Sequence, residues 1–414
     1  MIEGLREMII FEINSVPYGS TGRIMFQIAE TVQKQGGVAY TSSSYTKPRG
    51  ENFPDTYYRI GGVFGKTEHI VLAKLTGRHG CYSHLATHKL IQKIKHVRPD
   101  IIHLHNIHGW YLNWKMLFDY FKQAKIPVVW TLHDCWSFTG HCPHFMAIQC
   151  DKWETGCYAC PLYKSYPGSF FDDSEKQFAL KKACFTGVPN LTIVTPSLWL
   201  ANLVKKSYLK DYDVEVINNG IDLTKFKPTA SNFRKKCGLE GKVVILGVAF
   251  NWTQKKGIND FKRLAKELGE EYAIVLVGGM ADTSIGEKPL GIVSIACTQC
   301  QEELAEIYTA ADIFVNPTLE DNFPTVNIEA LACGTPVVTY QTGGSPESIT
   351  EDCGRVVSYG DYDELKRTIL EMRDMKKSMQ NNCLKRAKLY GQGMAYKKYV
   401  ELYRQLLKER NDLI

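Results

Sequence analysis

The sequence of 414 residues has no uninterrupted apolar run approaching the ~20 residues that a bilayer-spanning helix requires. Its start carries Glu3, Arg6 and Glu7 where a secretory leader would be apolar, so a cytosolic location is expected. Neither charge sign dominates, because 50 Lys and Arg against 44 Asp and Glu leave a net charge of +6. That is too mild to point to nucleic acid, although it suits an acidic substrate or an anionic membrane surface. An even cysteine framework is also missing. The 13 cysteines are mostly scattered, at Cys81, Cys184, Cys237, Cys333, Cys353 and Cys383 among others, which reads as reduced thiols rather than a disulfide-stapled fold. There is no low-complexity segment and no short-period repeat. With 44% hydrophobic and 23% charged residues, the composition excludes disorder, collagen and coiled coil. At roughly 100 to 200 residues per domain, the length predicts two domains.

What is present is an alternation of short apolar runs with amphipathic stretches. The runs are Met8–Ile13, Ile101–Leu104, Val128–Leu132, Leu191–Val194, Val214–Ile217, Val243–Phe250, Ala273–Val277, Ile313–Val315 and Pro336–Thr339, and they predict buried parallel strands. After the first run, Ile24, Ile28, Ala29 and Val32 share one helical face and Gly36-Gly37 supplies a stop. Strand, turn and helix in that order open a doubly wound α/β domain. The turn-rich stretch Asn218-Asn219-Gly220 to Lys227-Pro228 precedes a fresh alternation and marks the domain boundary. Near the end, Tyr396, Tyr399, Val400, Tyr403, Leu406 and Leu407 form a wide apolar stripe on one helix, which needs a surface to cover.

The segment Pro317–Pro336 carries the most chemistry. It follows a strand and reads as a helix opening, with Pro324 in the first turn and free backbone N–H groups suited to phosphate. Asp321 and Glu329 stand eight positions apart, about two helical turns, on roughly one side. Such a pair can hold a sugar at one end and a ribose at the other; a capped helix with a solvated acidic face is the plainer reading.

This segment resembles the acidic signature of retaining GT-B glycosyltransferases of family 4 (group 1). Other pieces fall in line with it: Gly19-Ser20-Thr21-Gly22-Arg23 after the first strand, Val216–Asp222 with Phe226 and Pro228, Asp312–Pro317, and Gly343-Gly344-Ser345-Pro346-Glu347. The resemblance implies two Rossmann-like doubly wound domains facing across a deep cleft. These are residues 1–222 on the acceptor side and 223–393 holding a nucleotide-sugar, UDP- or GDP-linked, with 394–414 crossing back as a helix to the first domain. It implies catalytic roles for His133, Asp321 and Lys256, and donor binding by Gly22, Lys255, Asn322, Phe323, Thr325 and Glu329. Glu329 would meet the ribose, Asp321 the sugar hydroxyls and Lys256 the diphosphate. Transfer would proceed by front-side attack, with the departing phosphate taking the acceptor proton and no cofactor or metal needed for catalysis. The acceptor side would include His103, His105 and Arg23, and the acceptor would be a lipid-linked oligosaccharide of a bacterial surface polysaccharide. The sequence departs from the family pattern twice. Phe250-Asn251-Trp252-Thr253 lacks the usual Arg before Lys256, so either Lys255 supplies the second charge or phosphate is held less firmly; and Asp321 replaces a Glu, with Glu320 as its neighbour. Two other readings stay open: a nucleotide-sugar 2-epimerase, and a catalytically silent sugar- or nucleotide-binding protein.

The histidines also have plainer readings. His103 and His105 lie on an apolar strand, where packing is the commoner fate of an imidazole, and Gly19 and Gly22 can simply turn the chain. The pairs Asp211-Tyr212-Asp213 and Asp361-Tyr362-Asp363 sit in polar stretches and read as surface loops rather than metal ligands. Cys142, Cys150, Cys157 and Cys160 fall within 19 residues and close with Cys-x2-Cys, predicting a structural Zn²⁺ knuckle, with free thiols or an iron–sulfur cluster as alternatives. Between Lys66 and Arg98, Lys66, Lys74, Arg78, Lys89, Lys93, Lys95 and Arg98 face Glu68 alone. That basic stretch predicts peripheral contact with the inner face of the cytoplasmic membrane, or else a solvated helix face.

Overall fold

The computed structural model describes residues 7–44, 53–280 and 291–412, so Glu3 and Arg6 lie outside the described residues. The chain forms two compact units, Met1–Ile217 with Tyr396–Ile414, and Asn218–Ala395. The division falls after Ile217, where the sequence reading put it after Asp222.

The first unit is built on a parallel sheet of β1 (Ile9–Asn14), β2 (Val38–Ser44), β3 (Tyr57–Ile60), β4 (Ile101–Leu104), β5 (Val128–Thr131), β6 (Leu191–Thr195) and β7 (Asp213–Val216), in the order β3-β2-β1-β4-β5-β6-β7. The second has β8 (Val243–Trp252), β9 (Tyr272–Met280), β10 (Ile292–Ile295), β11 (Ile313–Asn316), β12 (Val337–Tyr340) and β13 (Gly354–Val357), in the order β10-β9-β8-β11-β12-β13. Both are doubly wound α/β sheets, as the alternation predicts. In each, the chain winds one way from its first strand and then returns to the other side. The switch points lie between β1 and β4 and between β8 and β11, where open α/β sheets bind ligands at their carboxyl ends.

Four strands escaped the apolar-run reading: β2, β3, β10 and β13. The clearest case is β2, whose Thr41, Ser42, Ser43 and Ser44 are all buried although polar. Ser42 Oγ donates to the Glu12 carbonyl at 2.8 Å, Ser44 Oγ to the Ser15 carbonyl at 2.6 Å, and Ser43 Oγ lies 2.6 Å from the Tyr57 hydroxyl, so the three serine hydroxyls are paired while the Thr41 hydroxyl is not.

The cores lie against the sheet faces. In the first unit Trp114, Phe118, Trp130, Trp136 and Phe185 meet in tilted and edge-on ring contacts. Each fully buried ring contributes on the order of 2–3 kcal/mol. The helix Gly19–Lys34 buries Ile24, Met25, Ile28, Ala29 and Val32, the face its spacing predicts. The last helix, Gln392–Asp412, buries Tyr396, Tyr399, Val400 and Tyr403, while Leu406 and Leu407 are only half-buried. Tyr399 and Tyr403 cover β4 and β5: Tyr403 hydroxyl lies 2.7 Å from His103 Nδ1, and Thr131 Oγ1 donates to Tyr399 hydroxyl at 3.2 Å. Among the described residues, no helix is long and apolar enough to cross a membrane.

Candidate functional site

In the second unit, Lys255 and Lys256 stand in a single 3-10 turn, Gln254–Lys256, directly after β8. Gly257 closes that turn at φ +78, and a Cβ there would lie 2.5 Å from the Pro317 carbonyl oxygen, so only glycine lets the turn pack against the loop after β11. The two loops are stitched by Leu319 N–H donating to the Lys255 carbonyl at 2.8 Å. Lys255 Nζ then donates to Glu320 Oε2 and Lys256 Nζ to Asp321 Oδ2, each at 2.8 Å. The lysine side chains remain 50% and 39% exposed. The Lys256–Asp321 pair is the more open on its acidic side, at 22% exposed against 6% for Glu320, so Lys256 can leave its carboxylate for an incoming anion at smaller cost than Lys255 can leave the enclosed Glu320. Glu320 is the more buried acid, and its Oε1 has no hydrogen-bond partner.

The helix Thr325–Ala332 follows. Pro324 is its N-cap residue rather than part of its first turn, no side chain caps its first amides, and no acid occupies that turn. Its orientation is set by Asn327, which accepts from Asn316 Nδ2 at 2.8 Å and donates to Ser345 Oγ at 2.9 Å. Glu329 accepts from the buried Tyr308 hydroxyl at 3.1 Å, which fixes its carboxylate. Asn322 is buried and Thr325 half-buried in the same loop-to-helix junction. Phe323 turns its ring into the core, 5.6 Å from the Tyr390 ring, so only its backbone remains for a donor. The structure thus brings Lys255, Lys256, Glu320 and Asp321 together at the β8–β11 switch, with Asn322 and Thr325 adjoining and Glu329 further along the helix.

In the first unit, β1 and β4 pair so that Glu12 is the partner of His103. Glu12 Oε2 lies 3.0 Å from His105 Nε2, and His105 Nδ1 lies 3.0 Å from His133 Nε2, a continuous chain from the sheet interior to the end of β5. Burial raises the Glu12 carboxyl well above its ordinary range. Burial also pushes His105 well below 6.5, His103 down to about 3 and His133 down to about 4, the last against the opposing pull of Asp134. The environment therefore favours an uncharged network. With Glu12 protonated, Oε2–H donates to His105 Nε2, His105 Nδ1–H donates to His133 Nε2, and the His133 proton sits on Nδ1.

Two expectations need correction here. His103 and His105 are fully buried, and every ring nitrogen is engaged: His103 with Thr131 and Tyr403, His105 with Glu12 and His133. They do not line an acceptor surface, because the C-terminal helix covers His103 and the network encloses His105. The same saturation argues against a metal at Glu12, His103 and His105, although their ligand atoms lie within 4.8 Å of one another. Arg23 is exposed. Gly22 is needed for the chain itself, since a Cβ would lie 2.5 Å from the Pro17 carbonyl carbon. Beyond His133, Asp134 Oδ2 lies 3.0 Å from His108 Nε2, and His108 Nδ1 lies 2.8 Å from Tyr166 hydroxyl. Burial acts to raise the Asp134 carboxyl, but His108, His144 and the Trp136 N–H outweigh it and hold it down at about 2.

Sequence reasoning missed Glu12, Asp134 and Tyr403 as partners. The signal for Glu12 was a lone acid inside the apolar strand Ile9–Asn14; Tyr403 was legible only as part of a stripe. Of the Asp-x-Asp pairs, Asp213 opens β7 and Asp361 caps the helix Tyr362–Met372 by accepting from Glu364 N–H, both structural uses. Cys142, Cys150, Cys157 and Cys160 line one small cavity.

A profile of Glycosyltransferase Family 4 matches residues 58–225, and a profile of Glycosyl transferases group 1 matches residues 240–374. WcaC of Escherichia coli K12, assigned by its name to colanic acid biosynthesis as a glycosyl transferase, is 27% identical over 270 residues, 63% of this chain and 64% of that protein. The N,N'-diacetylbacillosaminyl-diphospho-undecaprenol alpha-1,3-N-acetylgalactosaminyltransferase of Campylobacter jejuni is 25% identical over 221 residues, 50% of this chain and 58% of that protein. The matches span less than two thirds of either relative's length. Among solved structures, sucrose-phosphate synthase from Thermosynechococcus elongatus shares the fold with a TM-score of 0.71 at 18% identity, covering 97% of this chain and 100% of that one. With two doubly wound sheets, a lysine–carboxylate cluster at the second switch point and these two profiles in order along it, the chain belongs to the group 1 glycosyltransferases of family 4, of GT-B fold.

Proposed function

We propose that the protein is a retaining glycosyltransferase that moves a sugar from a UDP- or GDP-sugar to a lipid-linked or oligosaccharide acceptor in polysaccharide biosynthesis. The observation that carries this reading is the pairing of Lys255 and Lys256 with Glu320 and Asp321 at the β8–β11 switch. Lys256 and Lys255 exchange their carboxylates for the donor diphosphate and stabilise the charge that develops as it leaves. Charge neutralisation by two lysines stands in this reading where other transferases use a metal ion. The open amides at the start of the helix Thr325–Ala332 add to it. Asp321 or Glu320 accepts from sugar hydroxyls, and Glu329, held by Tyr308, accepts from the ribose. His133 takes the catalytic role that the family resemblance implies, with its tautomer set by Glu12 through His105. The acceptor hydroxyl attacks from the face the phosphate leaves, and a phosphate oxygen takes its proton, so no strong base is required.

The acceptor reading draws on a pocket of about 720 Å³ in the first unit, lined by Arg59, Lys66, His84 and Lys89 among others, which suits an anionic ligand. Beside it Phe64 is 91% exposed, with Val71, Leu75 and Leu85 also exposed among the lysines of the two helices Val63–Thr76 and His84–Val97. Apolar tips among basic side chains fit a peripheral location on the inner face of the cytoplasmic membrane, each Lys or Arg adding about 1 kcal/mol near an anionic surface. The name of the Campylobacter jejuni relative, which includes diphospho-undecaprenol, agrees with this acceptor class.

The test begins with the thermal midpoint in a panel of UDP-, GDP- and ADP-sugars, where a ligand at about 100 times its Kd stabilises by about 2.7 kcal/mol. The stabilising donor is then incubated with a lipid-linked acceptor and the product anomer read by NMR. Retained configuration supports the proposal, and inversion removes it. Conversion of donor without acceptor would indicate an epimerase, and neither shift nor conversion a silent binding protein.

A further inference from the structure

Between β5 and the helix Ser174–Phe185 the chain runs through residues 132–173 with no strand and only three single-turn segments, Trp136–Phe138, Met146–Ile148 and Lys152–Glu154. Its backbone bonds are nearly all those of local turns, and so long a stretch with so little regular secondary structure inside a compact unit is uncommon unless it serves a function. Its four soft donors come to one place. Cys142, Cys150, Cys157 and Cys160 all line a cavity of about 20 Å³, and none is in a disulfide. That volume takes a single ion or water and excludes any organic ligand. Gly140 N–H donates to Cys157 Sγ at 3.0 Å, the amide-to-sulfur contact that orients a thiolate ligand. The position must be glycine for this approach, because a Cβ would lie 2.6 Å from the Cys157 Cβ.

A buried charge points the same way. Lys181 is 1% exposed, donates to the Trp136 and Thr139 carbonyls at 2.8 and 3.0 Å, and stands 3.5 Å over the Trp136 ring. Among the described residues no carboxylate forms an ion pair with it, and the acidic groups whose charge acts on it are Cys157, Cys142 and Asp134. An enclosed ammonium without a counter-charge is costly. Four thiolates around Zn²⁺ carry a net charge of two minus and supply one.

We propose that Cys142, Cys150, Cys157 and Cys160 hold one Zn²⁺ as a tetrahedral structural site that orders this loop. Each thiol releases its proton to solvent as its sulfur binds, with no change of oxidation state. The histidines nearby are not needed. His141 Nε2 is engaged with the Ser165 carbonyl, and its ring lies against His79. Among the described residues, the sulfurs line the cavity without three of them lying within 4.8 Å of one another, so binding draws the loop inward. Zinc is favoured over softer or redox-active ions because four thiolates in a tetrahedron match its preference.

The test is elemental analysis and thiol titration of the full chain purified under reducing conditions without added metal. The expected result is about one zinc per chain, with four thiols protected until a chelator is added. Chelation should also speed proteolysis within residues 141–165. Cys150→Ser with Cys157→Ser should lower zinc at least tenfold, whereas Cys297→Ser with Cys300→Ser, an exposed pair in the second unit, should leave it unchanged. If the first double variant does not fold, cobalt exchange into the unsubstituted protein decides, because tetrahedral cobalt thiolate absorbs intensely in the visible. Folded protein that is zinc-free and takes up none, zinc retained after loss of both cysteines, or iron with labile sulfide would each overturn the proposal.

Discussion

Acid should unfold the first unit well before ordinary carboxylate titration is complete. His69 and His133 are pushed down to about 4, and His79 and His103 to about 3, in each case chiefly by burial. An unfolded histidine titrates near 6.5. Between that value and the lowered folded value the unfolded chain binds more protons, so stability falls as pH falls through this window. From pH 7 to pH 5 each such histidine removes about 2 kcal/mol, since 1.5 units lie below 6.5 at about 1.36 kcal/mol per unit. The four together remove about 8 kcal/mol, comparable with the whole stability of a domain. Glu12 acts in the opposite sense, because its raised carboxyl takes a proton earlier in the folded state and returns part of the loss. Six of the seven tryptophans lie in the first unit, so tryptophan emission during urea denaturation at pH 8, 7, 6 and 5 reports on it directly. The midpoint should fall steeply between pH 7 and pH 5. His103→Gln removes one titrating group and should make that loss about 2 kcal/mol smaller, even though the variant is weaker at pH 8. A midpoint flat across this range, or an unchanged loss in the variant, would refute the reasoning.

Lys256→Ala and Glu329→Ala should each reduce turnover at least tenfold with circular dichroism unchanged, and wild-type rates would remove the roles assigned to them. Glu12→Ala leaves His105 Nε2 without its partner, and kcat should fall more than donor affinity as measured by thermal shift; equal loss in both would mean that Glu12 only supports the fold. Tyr403→Phe deprives His103 Nδ1 of its hydrogen bond and should destabilise the first unit by about 1–3 kcal/mol in urea denaturation, with donor binding intact. Phe64→Ser combined with Lys74→Glu should weaken flotation with anionic vesicles, and unaltered flotation would set the membrane surface aside.

The sequence by itself determined those elements whose local pattern equals their tertiary environment. Strands buried on both faces must be apolar throughout, so β1, β4, β5, β6, β8, β9, β11 and β12 were visible as runs. The helix Gly19–Lys34 showed its buried face in its spacing, and the lysine and carboxylate motifs were legible because each is contiguous. Tertiary structure decided whatever depends on a distant partner. The polar strand β2 is tolerated in the interior because the Glu12 and Ser15 carbonyls accept from Ser42 and Ser44 and Tyr57 pairs with Ser43. Glu12 gained its place beside His103 and His105 from the β1–β4 register, a relation that no spacing encodes across some ninety residues. His103 was sealed in by Tyr403, three hundred positions away, and Phe323 was turned inward by Tyr390. Period and composition report which face of an element is buried. Which side chain ends up against which is set by sheet order and register, and those arise only when the chain closes on itself.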